Sequence, residues 1–153
     1  MKRIYLTAIA LTLGILAGMA QVNAFFDKYA DSDQVTSVLI TKAMLSMMPE
    51  SGMKSGNMEI GKIAGKIDNI RILTCEQPRM IAKLKKDLSS ISTKGYEELL
   101  KVNDNGERTV IYLNSGANGS NSYLIINEEK NEFNAILING RISPTDIRGM
   151  VSK

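Results

Sequence analysis

The clearest periodic pattern in the chain is an apolar stripe that follows Pro78 at spacings of three and four residues. A proline in the first turn and a glycine after the last turn, here Gly95, are typical of the two ends of a helix. We therefore predict an amphipathic helix between Pro78 and Gly95 that packs one face against a sheet. The stripe comprises Met80, Ile81, Leu84, Leu88 and Ile91.

Six short runs of β-branched or alternating apolar residues predict β-strands, several of them separated by turns rich in Asn and Gly. They are Val35–Thr41, Ile67–Thr74, Tyr96–Val102, Thr109–Leu113, Tyr123–Ile126 and Phe133–Ile138. The first run also fits one face of a helix. The tight connections between the last three runs favour an antiparallel meander.

Three shorter helices complete the predicted elements. They are a turn around Phe25, the segment Lys42–Met48 ended by Pro49, and a terminal helix that Ser143 and Asp146 begin with a capping box. The segment Glu50–Gly65 has little periodicity and is predicted as a loop. This order of elements predicts a single α+β domain over residues 21–153, a mostly antiparallel sheet with helices packed on one face.

Residues 1–20 have the layout of a secretory signal peptide. A short basic segment precedes the apolar run Ile4–Leu16, which is shorter than the roughly 20 residues that a membrane span needs. Small residues permit cleavage after Ala20 or after Ala24, and we favour Ala20. Met19 stands where a lipoprotein needs the cysteine that carries its lipid. We therefore expect an exported protein of the periplasm or outer envelope, without a stable membrane anchor.

Composition narrows the possible functions. Removal of the leader leaves 17 basic and 16 acidic residues, a net charge of +1, which gives no electrostatic reason to expect a nucleic-acid partner. The chain has no His, so Ser-His and Cys-His nucleophile pairs and the commonest zinc ligand are excluded. A single cysteine, Cys75, cannot form an intramolecular disulfide and fits a small buried thiol. We predict no catalytic residue, no metal site and no cofactor, and hence no enzyme.

Five methionines within fifteen residues give the sharpest hypothesis about a site. Thioether sulfur binds Cu(I), but it also fills gaps in a buried helix face, and an exposed apolar surface can hold a partner. Without His or a nearby Cys, the metal interpretation is the weakest of the three. The candidate partner-binding residues are Met44, Met47, Met48, Met53 and Met58.

Five segments of the chain resemble the exported bacterial family catalogued as domain of unknown function 4252. They are Phe26–Pro49, Lys66–Thr74, the Lys-rich helix that follows Pro78, Tyr96–Leu99 and Asn139–Pro144. The resemblance implies a Gram-negative envelope protein and brings no activity or site residues. We expect a non-catalytic module that binds an unknown envelope protein. The alternatives are a carrier of a small apolar ligand or lipid and, in third place, an enzyme. The sequence gives no oligomeric state.

Overall fold

The computed structural model describes residues 19–49, 54–55, 58–91 and 95–151. In chain order the strands are β1 (Thr36–Thr41), β2 (Lys54–Ser55), β3 (Met58–Glu59), β4 (Ile67–Cys75), β5 (Glu97–Asp104), β6 (Glu107–Ser115), β7 (Asn121–Glu128) and β8 (Phe133–Gly140). The helices are α1 (residues 19–29), α2 (Lys42–Met47), α3 (Pro78–Ile91) and α4 (Pro144–Val151), with 3-10 helices at Ile60–Lys66 and Ala117–Gly119. Most of the predicted leader, residues 1–18, lies outside the described residues.

Six strands form one antiparallel sheet in the order β1-β4-β8-β7-β6-β5. The four strands from β5 to β8 follow one another as a meander, and β4 joins its last strand while β1 forms the far edge. The predicted α+β class and the mostly antiparallel sheet are confirmed, and each of the six predicted strands occurs.

Apolar side chains cover both faces of the sheet, because neighbouring residues in a strand point to opposite sides. On one face, Leu124 and Leu137 pack with Phe26 of α1 and Leu84 of α3. The two long helices, α1 and α3, therefore share one face as predicted for the helices, but the short helices do not join them there. On the other face, the short helices α2 and α4 and the first 3-10 helix lie over strands β4, β7 and β8. Their buried contacts are Leu45, Ile63 and Ile147.

The turn between β5 and β6 shows how local sequence fixes register. Asn105 and Gly106 both have positive φ, 48° and 86°. This two-residue turn favours Asn-Gly because its twist matches that of the strands and because both positions lie in the left-handed region. It sets Asp104 opposite Glu107 and, through that pair, the register of the whole hairpin.

The predicted loop Glu50–Gly65 was wrong for the part of it that the structure describes. Strands β2 and β3 pair with each other, Lys54 with Glu59 and Ser55 with Met58, and Ile60–Lys66 is a 3-10 helix. Elements of two residues are too short to leave a period in the sequence. The buried side chain of Ile63 holds the 3-10 helix to the sheet.

Candidate interaction surface

The predicted methionine site divides into exposed and half-buried side chains. Met47 is 79% exposed and Met44 is 52% exposed, whereas Met48 is half-buried and packs against the core of the second face. Met58 lies in β3, and Met53 lies outside the described residues. The structure thus brings Met44 and Met47 to the surface of one short helix.

Helix α2 is held by its first residues and by one anchor. The Thr41 side chain accepts a hydrogen bond from the Met44 backbone N–H at 3.3 Å, which caps the helix. Leu45 is the buried residue of α2, at 4% exposure. Because Leu45 turns inward, the side chains of Met44 and Met47 on either side of it turn outward, and Pro49 follows the end of the helix.

Strand β1 adds two more large apolar side chains at the same edge of the sheet. Val38 is 42% exposed and Leu39 is 61% exposed. Val38, opposite Ile72, lies on the face of the sheet that α2 covers, whereas Leu39, opposite Arg71, points to the other face. We call these two residues of the edge strand, together with Met44 and Met47, the β1–α2 surface. The apolar pattern of β1 predicted the strand but not its exposure, because only the long-range pairing with β4 shows that β1 is an edge.

Helix α1 is fixed to the domain by polar contacts that the sequence did not reveal. The Tyr29 hydroxyl donates to Asp87 Oδ2 at 2.5 Å, and Lys28 Nζ donates to the same oxygen at 2.7 Å. Burial, more than the nearby carboxylate, raises the pKa of Tyr29, while the hydrogen bonds from Lys28 and Tyr29 lower the pKa of Asp87. Tyr29 is only 2% exposed, so its hydroxyl joins α1 to α3 and is not accessible to a substrate.

A second contact holds the opposite side of α1. Arg71 of β4 donates to Asp27 Oδ1 at 2.6 Å, and its guanidinium carbon lies 5.4 Å from the centre of the Phe26 ring. An arginine stacked on an aromatic ring while paired with a carboxylate fixes both partners. Residues from two different elements therefore hold α1 in place on the sheet.

The described residues offer few groups for metal or redox chemistry. No cluster of three or more His, Cys, Asp or Glu side chains within the described ranges is arranged to hold a metal ion. Cys75 is 2% exposed, and its Sγ lies 3.4 Å from the Gln34 carbonyl oxygen. This matches the predicted buried thiol.

A surface cavity of about 320 Å³ lies between α3 and strands β6 and β7. Its apolar lining is Leu88, Val110 and Ile126, and its polar lining is Lys85, Ser89, Arg108, Tyr112 and Glu128. Lys85 Nζ lies 3.3 Å from Glu128 Oε2. Arg108 Nε is buried and finds no hydrogen-bond partner among the described atoms. The cavity can therefore accept an apolar group with a polar or acidic end.

Comparison with known proteins identifies a family but no function. A family model described as a domain of unknown function (DUF4252) matches residues 29–150. No curated protein and no solved structure matches the chain significantly. In the part of the chain that the structure describes, no helix has the length and apolar character needed to cross a membrane.

Proposed function

We propose that this chain, which belongs to the DUF4252 family of domains of unknown function over residues 29–150, binds another protein, without catalysis, through the β1–α2 surface. The observation that carries this proposal is the exposure of four large apolar side chains on two consecutive elements. Scattered single apolar residues are ordinary on a protein surface, but here Val38, Met44 and Met47 share the α2 side of the edge strand, and Leu39 lies on its other side. The absence of His from the chain removes the commonest general base and agrees with binding as the activity.

A paired set of variants tests the surface. Replacing both Met44 and Met47 by Ser removes apolar area from exposed positions, so we expect weaker capture of the partner by crosslinking in intact cells and unchanged stability. The matched control is Leu99→Ser, which removes an apolar side chain of 41% exposure from the opposite edge of the sheet. Equal capture by the double variant and the wild type would contradict the proposal. Met48 is left intact because it packs against the core.

Export to the periplasm or outer envelope is part of the same proposal. The burial of Val22, which is 0% exposed, supports cleavage after Ala20 over cleavage after Ala24, because the second cut would remove this core residue. It would also remove Asn23, whose carbonyl oxygen accepts a bond of 3.5 Å from Arg71 Nη1. Intact-mass analysis of the protein from the envelope fraction should give a chain that begins at Gln21. A full-length chain that retains Met1 in the cytosol would contradict export.

The cavity between α3 and the sheet supports a second candidate function, a carrier of a small ligand. Its volume lies at the lower end of the range typical of ligand sites, roughly 300–1,000 Å³. Leu88, Val110 and Ile126 would contact the apolar part of the ligand, and Lys85 and Arg108 would face an acidic end. Native mass spectrometry tests this candidate. A carrier should leave purification with extra mass that the Arg108→Met variant lacks, and a bare polypeptide mass would contradict it.

A further inference from the structure

The two edges of the sheet differ in their protection against pairing. Strand β5 has a register shift between Glu98 and Leu100, and its edge carries Glu97, Lys101 and Asp104. Strand β1 has no charged residue and no proline, and its register with β4 is continuous. A bulge and charged side chains block the addition of another strand, whereas a regular, apolar edge invites it. No strand of the described ranges pairs with the outer edge of β1, so this edge is open to a further strand.

We propose that β1 pairs antiparallel with β1 of a second copy of this chain, centred on Leu39. This inference rests on the proposed function, because it names the partner of the β1–α2 surface. In that register Leu39 lies opposite Leu39 of the second copy, and Val38 lies opposite Ile40 of the second copy. Directly opposed residues in an antiparallel pair share one face of the sheet, and Val38 and Ile40 do share a face. The three apolar residues of the strand, two exposed and Ile40 half-buried, are thus complementary to those of a second copy.

The apolar character of one sheet face continues to this edge. In the register of the strands, an unbroken row of six apolar side chains crosses the whole sheet. The row consists of Val38, Ile72, Ile136, Ile125, Ile111 and Leu100. Self-pairing would place Ile40 of the second copy beside Val38 and would extend the row across the interface. Cross-strand contacts of this kind are the unit of stabilisation between strands.

Charges beside the strand favour the antiparallel orientation. Asp31 and Asp33 precede β1 and Lys42 follows it, and all three are exposed. Lys42 Nζ lies 3.6 Å from Asp68 Oδ1, a loose ion pair. With Leu39 at the centre, Lys42 lies opposite Thr36 of the second copy and close to the acidic end of that strand. A parallel pairing would instead bring like charges together at both ends, which is unfavourable.

A single pair of six-residue strands forms a small interface. Stable dimers usually bury at least about 1,200 Å² in total, so we expect a dissociation constant on the order of 10 μM. Sedimentation of the purified protein over a series of concentrations should show a reversible monomer–dimer equilibrium. Leu39→Lys would oppose two ammonium groups at the centre and should raise the dissociation constant at least roughly tenfold. Leu99→Lys, on the protected edge, is the matched control and should leave it unchanged.

Crosslinking tests the register. Opposed residues in an antiparallel pair have Cα atoms about 4.5–5.5 Å apart, within disulfide range. Oxidised Leu39→Cys should therefore form a covalent dimer. Oxidised Val38→Cys should not form one, because residue 38 of one copy lies opposite residue 40 of the other, two positions away from the second cysteine. Cys75 is buried and should give no background.

Several results would overturn self-pairing. The first is a chain that stays monomeric at about 1 mM. The second is a dimer that Leu99→Lys weakens as much as Leu39→Lys does. The third is a disulfide-linked dimer that forms with Val38→Cys and not with Leu39→Cys. Circular dichroism of each variant establishes that it is folded. Suppose that the chain is monomeric, that the wild type captures a different protein, and that the double variant of Met44 and Met47 captures less of it. Self-pairing is then wrong, and the proposed function holds. If the dimer forms normally in that double variant and no capture is lost, the methionine part of the proposed function is wrong.

Discussion

The hydroxyl of Tyr29 in α1 donates to the carboxylate of Asp87 in α3 across a separation of 58 residues. Lys28 shares this carboxylate, but its side chain is 55% exposed, and exposed ion pairs contribute little. Tyr29 is almost fully buried, so water could not easily replace Asp87 as the hydrogen-bond partner of its hydroxyl. The Tyr29–Asp87 bond is therefore the stronger of the two links between α1 and α3.

We expect Tyr29→Phe to lower the free energy of unfolding by about 1–2 kcal/mol, toward the lower end for a hydrogen bond to a charged group because the Asp87 side chain is 27% exposed. Urea denaturation measures the change. A double-mutant cycle with Asp87→Ala should show that the two effects are coupled. Lys28→Met is the control, because it removes the other donor to the same oxygen, and it should cost less than about 0.5 kcal/mol. Additive effects of Tyr29→Phe and Asp87→Ala would show that the bond does not stabilise the fold.

Gly140, the last residue of β8, lies against the backbone of another segment. A Cβ atom at this position would stand 2.2 Å from the Lys66 carbonyl oxygen, and backbone cannot move aside as a flexible side chain can. The same oxygen accepts a hydrogen bond from the Arg141 N–H at 2.8 Å. Gly140→Ala should therefore destabilise the protein by about 1–3 kcal/mol in thermal or urea unfolding.

Gly65 provides the matched control for that substitution. It lies beside Lys66, and a Cβ atom there meets no heavy atom within 4 Å. We expect Gly65→Ala to be neutral or slightly stabilising, since alanine restricts the unfolded chain more than glycine does. Equal losses for the two variants would mean that the contact with Lys66 does not explain the glycine at position 140.

Features determined by a few neighbouring residues could be predicted from the sequence. The Asn105–Gly106 turn, the start of α3 at Pro78 and the capping box of α4 depend on residues within one or two turns of each other, and all three occur as expected. The buried part of the apolar stripe, Leu84 and Leu88, also lies where its periodicity placed it.

Features that depend on distant parts of the chain could not be predicted. The apolar pattern of β1 is the same for an edge strand as for an inner strand, so the exposure of Leu39 follows only from the pairing order. The Tyr29–Asp87 bond joins residues that no local pattern connects. For the methionines, periodicity alone could not show that Leu45, rather than Met44 or Met47, turns toward the core.

The contrast within α2 gives a direct test of its orientation. Leu45→Ala empties a buried site in the second apolar cluster and should cost about 2–4 kcal/mol in the free energy of unfolding. Met47→Ala removes a side chain that is mostly in water and should change stability by less than about 0.5 kcal/mol. Urea unfolding of both variants measures the difference. If Met47→Ala costs as much as Leu45→Ala, then the helix presents its methionines to the core.

The N-terminus of α4 makes stability depend on acidic pH. The Asp146 carboxylate accepts hydrogen bonds from Lys66 Nζ at 2.8 Å and from the Ser143 backbone N–H at 2.9 Å. The Lys66 bond, then the Ser143 bonds, hold the pKa of Asp146 at about 2, below its usual value of 3.8. Because the folded state has the lower pKa, the unfolded chain takes up a proton first as the pH falls. The stabilisation from Asp146 is therefore complete above about pH 4 and is lost as the pH falls toward 2.

We expect Asp146→Asn to lower the melting temperature at pH 6 and to lose less further stability than the wild type between pH 4 and pH 2. Asp87, whose pKa is also lowered, contributes to the acid dependence of both proteins, so the difference between them isolates Asp146. Lys66→Met is the matched control. It removes the largest cause of the shift, so an NMR titration of the Asp146 carboxyl should show the pKa moving back toward 3.8. Parallel acid unfolding curves for Asp146→Asn and the wild type would show that the carboxylate does not couple the first 3-10 helix to α4.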